Sequence, residues 1–295
     1  MTAEIRPRRS VLYMPGSNAR ALEKAKTLGA DSLILDLEDS CAPDVKADAR
    51  EQVAAAVAAG GYGKRELIIR VNGLDSEWGE ADIIAAAAAA PDAVLLPKVE
   101  SAETVLVAER LLEGHGGLDK TKIWCMMETP RGILRAEEIA GASDRLECFV
   151  MGTSDLTKDL HARHTPAREP MLTSLAICLL AARAEGLSIV DGVYLDLEDA
   201  EGYEASCRQG LDLGFDGKTL IHPKQLDAAN RIFAPNEADV AQSRKIIAAF
   251  AEAEKEGKAV VVVDGKLVEN LHVVNARRLV ALAEAIAARA EDAVS

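Results

Sequence analysis

Carboxylate side chains follow short apolar segments at several places in this chain. The segment LILDLEDS ends with the acidic residues Asp36, Glu38 and Asp39. Glu128 follows the letters WCMM, and Asp155 follows VMGTS. Carboxylates from different strands, with room for water and a substrate oxygen, are the ligands that suit Mg²⁺. Glu128 and Asp155 are therefore the candidate metal ligands of this sequence.

An ion pair is the alternative interpretation of these two acids. A buried carboxylate without a partner is costly, so a metal or a basic side chain must neutralise it. Lys98 and Arg131 are the basic residues that we expect in such pairs. The chain has no H-E-x-x-H motif and no Cys/His cluster, which argues against zinc.

Arg70 follows the apolar segment ELII and is a candidate for substrate binding. A guanidinium group can bind a substrate carboxylate through two parallel hydrogen bonds. A salt bridge to Asp36 or Glu38 explains the residue equally well. The spacing alone leaves both interpretations open.

The turn PGSN (15–18) precedes a predicted helix and is a candidate phosphate-binding segment. Free backbone N–H groups at the start of a helix can bind phosphate, and basic side chains one turn apart could assist. The alternative is an ordinary helix start, with a side chain of the turn as N-cap. The residues assigned to this candidate site are Pro15, Gly16, Ser17, Arg20 and Lys24.

Short aliphatic segments alternate with alanine-rich, helix-like segments along most of the chain. The predicted strands are 10–15, 32–37, 67–72, 93–98, 122–128, 147–152, 187–194 and 217–223. This alternation predicts parallel strands joined by crossover helices. Eight such units favour an α/β fold, a (β/α)8 TIM barrel of roughly 250 residues. Enzymes with this fold carry their chemistry at the C-terminal ends of the strands, where the candidate residues fall.

The last part of the chain differs from the barrel pattern. We predict a catalytic barrel over residues 1–234 and a C-terminal helical extension over 235–295. The extension contains a charged helix, a short hairpin around Asp264-Gly265 and a final helix. Because it is too small to fold well by itself, we expect it to pack on a barrel, its own or that of a neighbouring subunit.

Two further polar motifs receive no catalytic role. The letters VYLDLEDA (193–200) resemble the first acidic segment, but their position does not match a repeat of two half-barrels. They also fall in a less regular loop. His161 and His164 invite a metal interpretation, but their basic loop has no carboxylate cluster nearby. A surface loop or a ligand contact is the favoured interpretation.

The composition of the chain and the motifs that it lacks argue against several classes of function. A net charge of −14 argues against a nucleic-acid partner, which requires clustered Lys and Arg. The five cysteines are widely spaced, which is typical of reduced thiols in a cytoplasmic protein. No signal peptide is recognisable, and no apolar run reaches the roughly 18 residues of a membrane span. Nucleophile-elbow, P-loop and dinucleotide-binding motifs are absent from the sequence.

The segments that contain the candidate residues resemble the citrate lyase β-subunit-like family, the CoA-ester lyases of the HpcH/HpaI aldolase type. The resemblance covers nearly the whole chain and is specific for the family rather than for one substrate. The matching segments are RSVLYMPGSNARALEKA, LILDLEDSCAPDVKADAR, IRVNGLDSEWGEADI, VLLPKVES, METPRGILRAEEIA, GTSDLTKDL, GFDGKTLIHPKQL and VVVDGKLVENLHV.

The resemblance implies a TIM barrel that uses Mg²⁺, or Mn²⁺ in its place, and binds a CoA thioester. The family's metal ligands match Glu128 and Asp155, and its substrate-binding arginine matches Arg70. The first loop matches the region that binds the CoA phosphates. Members form trimers, sometimes doubled, in which the C-terminal segment closes over a neighbouring active site. The acidic segment after the second strand is expected to hold metal-bound waters or Arg70, with Asp36, Glu38, Asp39 and Lys98 as supporting residues.

The sequence departs from the lyase pattern in its C-terminal segment. Lyases of the family commonly have an aspartate in a motif like DGKxID, whereas this chain has DGKLVEN, with Glu269 at that place. The extra methylene moves the carboxylate by about a bond length, and a misplacement of about 1 Å can reduce a rate on the order of 100-fold. The glutamate is similar to the malyl-CoA thioesterase branch, in which the carboxylate could activate water.

Three functions follow from the resemblance. The first is Mg²⁺-dependent cleavage of a malyl-CoA or citramalyl-CoA type of thioester into an acyl-CoA and a 2-oxo acid, with Arg70 and Glu269 as catalytic residues. The second is hydrolysis of (3S)-malyl-CoA to malate and CoA. The third is a citrate lyase β-like subunit acting on a carrier-bound substrate.

Overall fold

Eight parallel strands form a closed barrel in the computed structural model, which describes residues 5–117 and 120–292. The strands follow one another around the barrel in chain order, and the last pairs with the first. The (β/α)8 barrel predicted from the sequence is confirmed. The strands are β1 (Ser10–Pro15), β2 (Ser32–Asp36), β3 (Glu66–Arg70), β4 (Ala93–Leu96), β5 (Lys122–Met127), β6 (Leu146–Met151), β7 (Ser188–Asp191) and β8 (Gly217–Leu220).

Helices connect the strands and cover the outside of the barrel. None of the helices in the described part of the chain combines the length and apolar character needed to span a membrane. The barrel helices are α1 (Ala19–Ala25), α2 (Lys46–Ala59), α3 (Gly79–Ala89), α4 (Ala102–Gly114), α5 (Pro130–Leu134), α6 (Ala136–Ala140), α7 (Thr153–Asp159), α8 (Leu172–Ala184), α9 (Ala200–Leu213) and α10 (Leu226–Ile232).

The pleat of the strands divides the core into an interior and an outer layer. Alternate residues of strands β1 to β7, such as Val11, Ile34 and Ile68, form one buried cluster with Trp124, which fills the barrel. The other residues pack against the helices in a larger cluster. Because side chains alternate along a strand, the residues two positions beyond the interior cluster also face inward at the C-terminal end. The polar residues Asp36 and Arg70 occupy such positions.

All five cysteines are buried as free thiols. They lie in the loop after β2, in strands β5 and β6, and in helices α8 and α9. Burial raises the pKa of most of these thiols, which keeps them protonated and unreactive.

The chain divides into two compact units, the barrel (Arg8–Phe233) and a C-terminal unit that starts at Ala234 and also includes residues 5–7. The C-terminal unit contains helices α11 (Glu237–Lys255) and α12 (Asn270–Asp292) and the antiparallel strands β9 (Val261–Val263) and β10 (Lys266–Val268). The predicted hairpin is present, and its two turn residues have positive φ angles, as a tight turn requires. The small apolar core of this unit consists of Phe250, Val263, Val268 and Val273.

Candidate active site

A cavity of about 440 Å³ opens at the C-terminal end of the barrel strands. This is the end at which barrel enzymes place their chemistry. Arg70, Glu128 and Asp155, predicted from the sequence as separate candidates, all line it. Its walls contain Tyr13, Met14, Pro15, Asp36, Asp39, Ser40, Arg70, Met126, Glu128, Met151, Gly152, Thr153, Ser154, Asp155, Val193, Thr219 and Ile221.

Arg70 forms a buried, two-pronged ion pair with Asp36. The two residues are register partners on β2 and β3, and Arg70 Nε and Nη2 donate to the Asp36 carboxylate at 2.6 and 2.7 Å. Burial alone would raise the pKa of Asp36, but the guanidinium holds it below its usual range. The ring of Tyr13 lies 4.9 Å from the guanidinium carbon. The salt-bridge interpretation of Arg70 is thus confirmed. Its remaining nitrogen, Nη1, lies close to the carboxylates of Glu38 and Asp39.

The loop after β2 is folded around the same carboxylate. Asp36 accepts hydrogen bonds from the backbone N–H groups of Glu38 at 2.9 Å and Ser40 at 3.0 Å. The buried ammonium of Lys46 donates to the carbonyl oxygens of Leu37 and Glu38 at 2.9 and 2.8 Å. These bonds fix the acidic segment, so its side chains are positioned before any ligand binds.

Glu38 joins Arg70 to Lys98. Its carboxylate lies 2.9 Å from Arg70 Nη1 and also pairs with the ammonium of Lys98. Asp39 lies 3.4 Å from the same Arg70 nitrogen, and its side chain is mostly exposed. Three acids thus lie around Arg70, with Asp36 as its closest partner, and their expected role toward metal-bound water stays a prediction.

Glu128 is a buried carboxylate without a basic side-chain partner among the described residues. Its Oε1 accepts the backbone N–H of Lys98 at 2.8 Å. Lys98 adopts a left-handed backbone conformation with φ +48°, which is uncommon for a residue with a side chain. Burial raises the pKa of Glu128 to about 7. Such a carboxylate is poised to accept a cation.

Asp155 lies in the first turn of α7 and pairs with Lys158 at 2.8 Å. The expected ion pairs of Glu128 and Asp155 with the side chains of Lys98 or Arg131 are wrong. Arg131 lies 3.6 Å from Glu100 instead. Lys158 stands one helical turn after Asp155, so the i, i+3 spacing could have identified it.

The donor set fits a Mg²⁺ ion whose coordination is completed by water and substrate. No group of three or more His, Cys, Asp or Glu side chains that could hold a metal occurs in residues 5–117 and 120–292. Glu128 and Asp155 nevertheless line one cavity, and Glu128 is buried with no basic side chain paired to it among the described residues. Mg²⁺ is commonly bound by one or two carboxylates and keeps several waters. Two carboxylates are within the number of protein ligands that this ion commonly takes, and the assignment of Glu128 and Asp155 stays a prediction.

The first loop lies beside the acidic segment. The N–H of Gly16 donates to the carbonyl oxygen of Asp36 at 2.9 Å, and a Cβ at Gly16 would lie 2.5 Å from that oxygen. Only glycine permits this approach. Pro15 lines the cavity, whereas Ser17, Arg20 and Lys24 are exposed on the loop and helix α1. Asn18 is the N-cap of α1 and accepts from the Ala21 N–H at 3.1 Å.

Glu269 belongs to the C-terminal unit. It is exposed and directly precedes α12, and its backbone N–H donates to Nδ1 of His272 at 3.0 Å. Its carboxylate is not used as the cap of the helix. The catalytic role expected for it remains a prediction.

Sequence reasoning missed part of the cavity wall. Tyr13, Met126 and Thr153 line the cavity but were not predicted as site residues from the sequence. Tyr13 is two residues after the interior Val11, and Met126 is two after the interior Trp124, so strand alternation could have identified both. The second acidic motif is also explained, because Asp199 is the N-cap of α9 and accepts from the hydroxyl of Tyr194 at 2.6 Å.

The raised pKa of Glu128 predicts a pH-dependent stability in metal-free protein. Between about pH 4.5 and 7 the folded chain binds more protons here than the unfolded chain. The free energy of unfolding should therefore fall by about 3 kcal/mol across this window relative to Glu128→Gln. Urea unfolding in EDTA at pH 5 and pH 8 measures the difference. Parallel pH profiles of the two proteins would contradict the assignment.

The close contact between Gly152 and Glu128 predicts that substitution of this glycine disturbs the candidate metal ligand. A Cβ there would lie 2.4 Å from both Cβ and Oε2 of Glu128. Gly152→Ala should displace the carboxylate and weaken Mg²⁺ binding by tenfold or more, which calorimetric titration measures. Gly29→Ala is the matched control, because a Cβ at Gly29 meets no atom within 4 Å. Unchanged Mg²⁺ affinity in Gly152→Ala would show that Glu128 does not hold the ion.

The chain is similar to known proteins both in sequence and in fold. Residues 9–223 match the family model "HpcH/HpaI aldolase/citrate lyase". The chain is 52% identical to a (3S)-malyl-CoA thioesterase of Cereibacter sphaeroides, over 98% of this chain and 99% of that protein. It is 37% identical to the citrate lyase subunit beta of Escherichia coli K12, over 97% and 96% of the two chains.

A solved structure supports the same relationship. The protein CitE from Mycobacterium tuberculosis, in complex with magnesium, acetoacetate and coenzyme A, is 27% identical with a TM-score of 0.75. The alignment covers 95% of this chain and 100% of that one. With its eight-stranded barrel and its acidic cavity, the chain therefore belongs to the HpcH/HpaI aldolase/citrate lyase family.

Proposed function

We propose that this protein hydrolyses the thioester of (3S)-malyl-CoA to malate and CoA. The observation that carries the proposal is the 52% identity, over nearly the full length of both chains, to a (3S)-malyl-CoA thioesterase. From the sequence, the lyase reaction was the first expectation. We place hydrolysis first because this relative is a thioesterase and because Glu269 resembles the thioesterase branch.

The charges of the cavity support an anionic substrate together with a divalent cation. The cavity wall contains the carboxylates Asp36, Asp39, Glu128 and Asp155, but only one arginine, Arg70. Arg70 is largely neutralised by its own ion pairs. A malyl group carries a carboxylate and a hydroxyl, so it requires additional positive charge to bind here.

Magnesium would supply that charge. We infer that Glu128 and Asp155 hold Mg²⁺, as their carboxylates and their shared cavity allow. When bound, the ion provides Lewis-acid stabilisation of substrate oxygens. Mn²⁺ remains a predicted substitute.

The chain's own residues then orient the substrate and move a proton. Arg70, held by Asp36, faces the negative charge that develops on the substrate. Glu269 takes a proton from water, and the water oxygen adds to the thioester carbonyl carbon. The C–S bond breaks, CoA leaves as the thiolate and is protonated, and malate retains the new oxygen. Glu269 acts in its own subunit or in a neighbour's within the predicted trimer or dimer of trimers.

Carbon–carbon cleavage is the second candidate. The identity of 37% to a citrate lyase beta subunit favours it, because the same cavity could release an acyl-CoA and a 2-oxo acid. A carrier-bound substrate is the variant of this candidate that the sequence resemblance implied.

Product analysis separates these candidates. Purified protein, Mg²⁺ and (3S)-malyl-CoA should give free CoA and malate in equal amounts by liquid chromatography. Acetyl-CoA and glyoxylate as the main products would establish the lyase instead. If no product forms until an acyl-carrier partner is added, the citrate lyase β-like function is correct.

Replacing Glu269 tests the proposed base. Glu269→Gln should lower the kcat for CoA release by 100-fold or more with a small change in KM, because general-base catalysis contributes about 10² to 10⁴. Glu269→Asp should release some acetyl-CoA, since it restores the lyase-like residue. Glu256→Gln, an exposed change in the same unit, is the control. Full activity of Glu269→Gln would exclude it as the base.

Metal removal tests the assigned ligands. EDTA should abolish CoA release, and excess Mg²⁺ should restore it. Asp155→Asn should raise the Mg²⁺ concentration needed for half-maximal activity by tenfold or more, whereas the exposed control Glu103→Gln should not. Activity that persists in EDTA would contradict the metal proposal.

A further inference from the structure

A buried lysine lies behind the acidic segment that follows β2. Lys46 is the first residue of α2, and only 6% of its surface is exposed. Its ammonium donates to the carbonyl oxygens of Leu37 and Glu38 at 2.9 and 2.8 Å and to Oδ1 of Asn72 at 2.6 Å. Because an ammonium has three N–H donors, all of them are used. They join the start of α2 to the loops that follow β2 and β3.

The acceptors of this ammonium are neutral. They are two backbone carbonyl oxygens and one amide oxygen rather than carboxylates. The fully buried Lys218 differs, because it pairs at 2.7 Å with the carboxylate of Asp191, which Arg168 also contacts. A buried cation is costly, and an ion pair is the usual way to compensate it. The charge of Lys46 is placed instead against the backbone of a segment that carries three carboxylates.

The surroundings of Lys46 are themselves fixed. Asn72 donates to Oδ2 of Asp82 in α3, from its backbone N–H at 2.9 Å and from Nδ2 at 2.6 Å. Arg50, one helical turn after Lys46, donates to Oδ1 of the same carboxylate at 2.6 Å. The centroid of the Trp78 ring lies 5.2 Å from the ammonium nitrogen, which is within the range of a cation–π contact. Helices α2 and α3 therefore determine where the ammonium lies.

The segment that Lys46 holds carries Glu38, which contacts the arginine of the reaction cavity. The Glu38 carboxylate lies 2.9 Å from Nη1 of Arg70 and also pairs with the ammonium of Lys98. Oε2 of Glu38 is buried and forms no hydrogen bond of good geometry. Its distance from Arg70 is therefore set by Lys98 and by the backbone that Lys46 holds.

The same backbone is held from a second side. Asp36, which binds Nε and Nη2 of Arg70, accepts the N–H groups of Glu38 and Ser40 at 2.9 and 3.0 Å. Lys46 binds the carbonyl oxygen of Glu38. Without the ammonium, three oxygen atoms lose a donor, so we expect the segment to shift. Such a shift would move a carboxylate away from Arg70.

We propose that Lys46 is a positioning residue of the reaction site, which acts on Arg70 through the backbone of the acidic segment and the Glu38 side chain that it carries. Lys46 does not line the reaction cavity, so it acts without touching substrate. Because Arg70 faces the charge that develops on the substrate, a change in its surroundings should lower kcat more than it changes KM. The kinetic test of this inference rests on the proposed function, whereas the expected geometry can be measured without substrate.

Replacing Lys46 tests the positioning role. Lys46→Met should lower kcat tenfold or more with less than a threefold change in KM, because a misplacement of about 1 Å can cost on the order of 100-fold. Lys46→Gln, which keeps an amide donor, should lower kcat by a smaller factor. Asn230→Ala is the control, because it removes hydrogen bonds with Ser10 and Gly29 at the N-terminal end of the strands. Its kcat should be unchanged, and circular dichroism verifies that each variant is folded.

A double-mutant cycle separates positioning from a general loss of stability. If Lys46 acts through Glu38, Lys46→Met should lower kcat threefold or less in a chain that already carries Glu38→Ala. Losses that multiply in the double variant would overturn the proposal. A folded Lys46→Met with the kcat of the unmodified chain would overturn it as well. If Lys46→Met does not fold, the same two criteria apply to Lys46→Gln.

Crystal structures separate a failure of this inference from a failure of the proposed reaction. In Lys46→Gln, the Glu38 carboxylate should lie about 1 Å or more farther from Nη1 of Arg70 than in the unmodified chain, a displacement large enough to affect a rate. An unmoved Glu38 would refute the positioning role, whatever reaction the protein catalyses. A displaced Glu38 in a protein that releases no CoA would support the positioning role and refute only the proposed hydrolysis.

Discussion

The buried ion pair between Arg70 and Asp36 determines the shape of the reaction cavity. Barrel closure brings β2 and β3 into register so that the two residues stand side by side and both face inward. Their two parallel hydrogen bonds use Nε and Nη2 of the guanidinium, so Nη1 is the nitrogen that remains for contacts with other groups. Removing either partner would leave a buried charge without compensation. The acidic loop, Glu38 and Lys98 are arranged around this pair.

The chain of contacts from Arg70 also reaches the candidate metal ligand. Glu38 contacts both Arg70 and Lys98, and the backbone of Lys98 contacts Glu128. The cavity wall therefore combines a fixed set of acids with a single arginine. An apolar substrate would leave those acids uncompensated. The cation and the anionic substrate that we propose would together provide the balance.

The sequence predicted the barrel, and it selected Arg70, Glu128 and Asp155, which line one cavity, because both inferences depend on local patterns. Aliphatic segments followed by polar residues identified the strands and their C-terminal ends, and the family motifs matched Arg70, Glu128 and Asp155. The pairing of Asp155 with Lys158 rather than Lys98 or Arg131 depends on helix α7 and was not predicted. The left-handed conformation of Lys98 could not be inferred either, because tertiary contacts impose it. The network of Arg168, Asp191 and Lys218 joins residues that are distant in sequence, so no local pattern reveals it.

The burial of every cysteine has a practical consequence for enzymology. A thiol reagent added to the folded protein meets no accessible sulfur among these five side chains. If the proposed hydrolysis is correct, a thiol that such a reagent detects during turnover therefore comes from released CoA rather than from the enzyme. Labelling of the protein itself would require local or global opening. Because the five thiols lie in different strands, helices and loops, mass spectrometry of the labelled peptides would show which part of the barrel opens first.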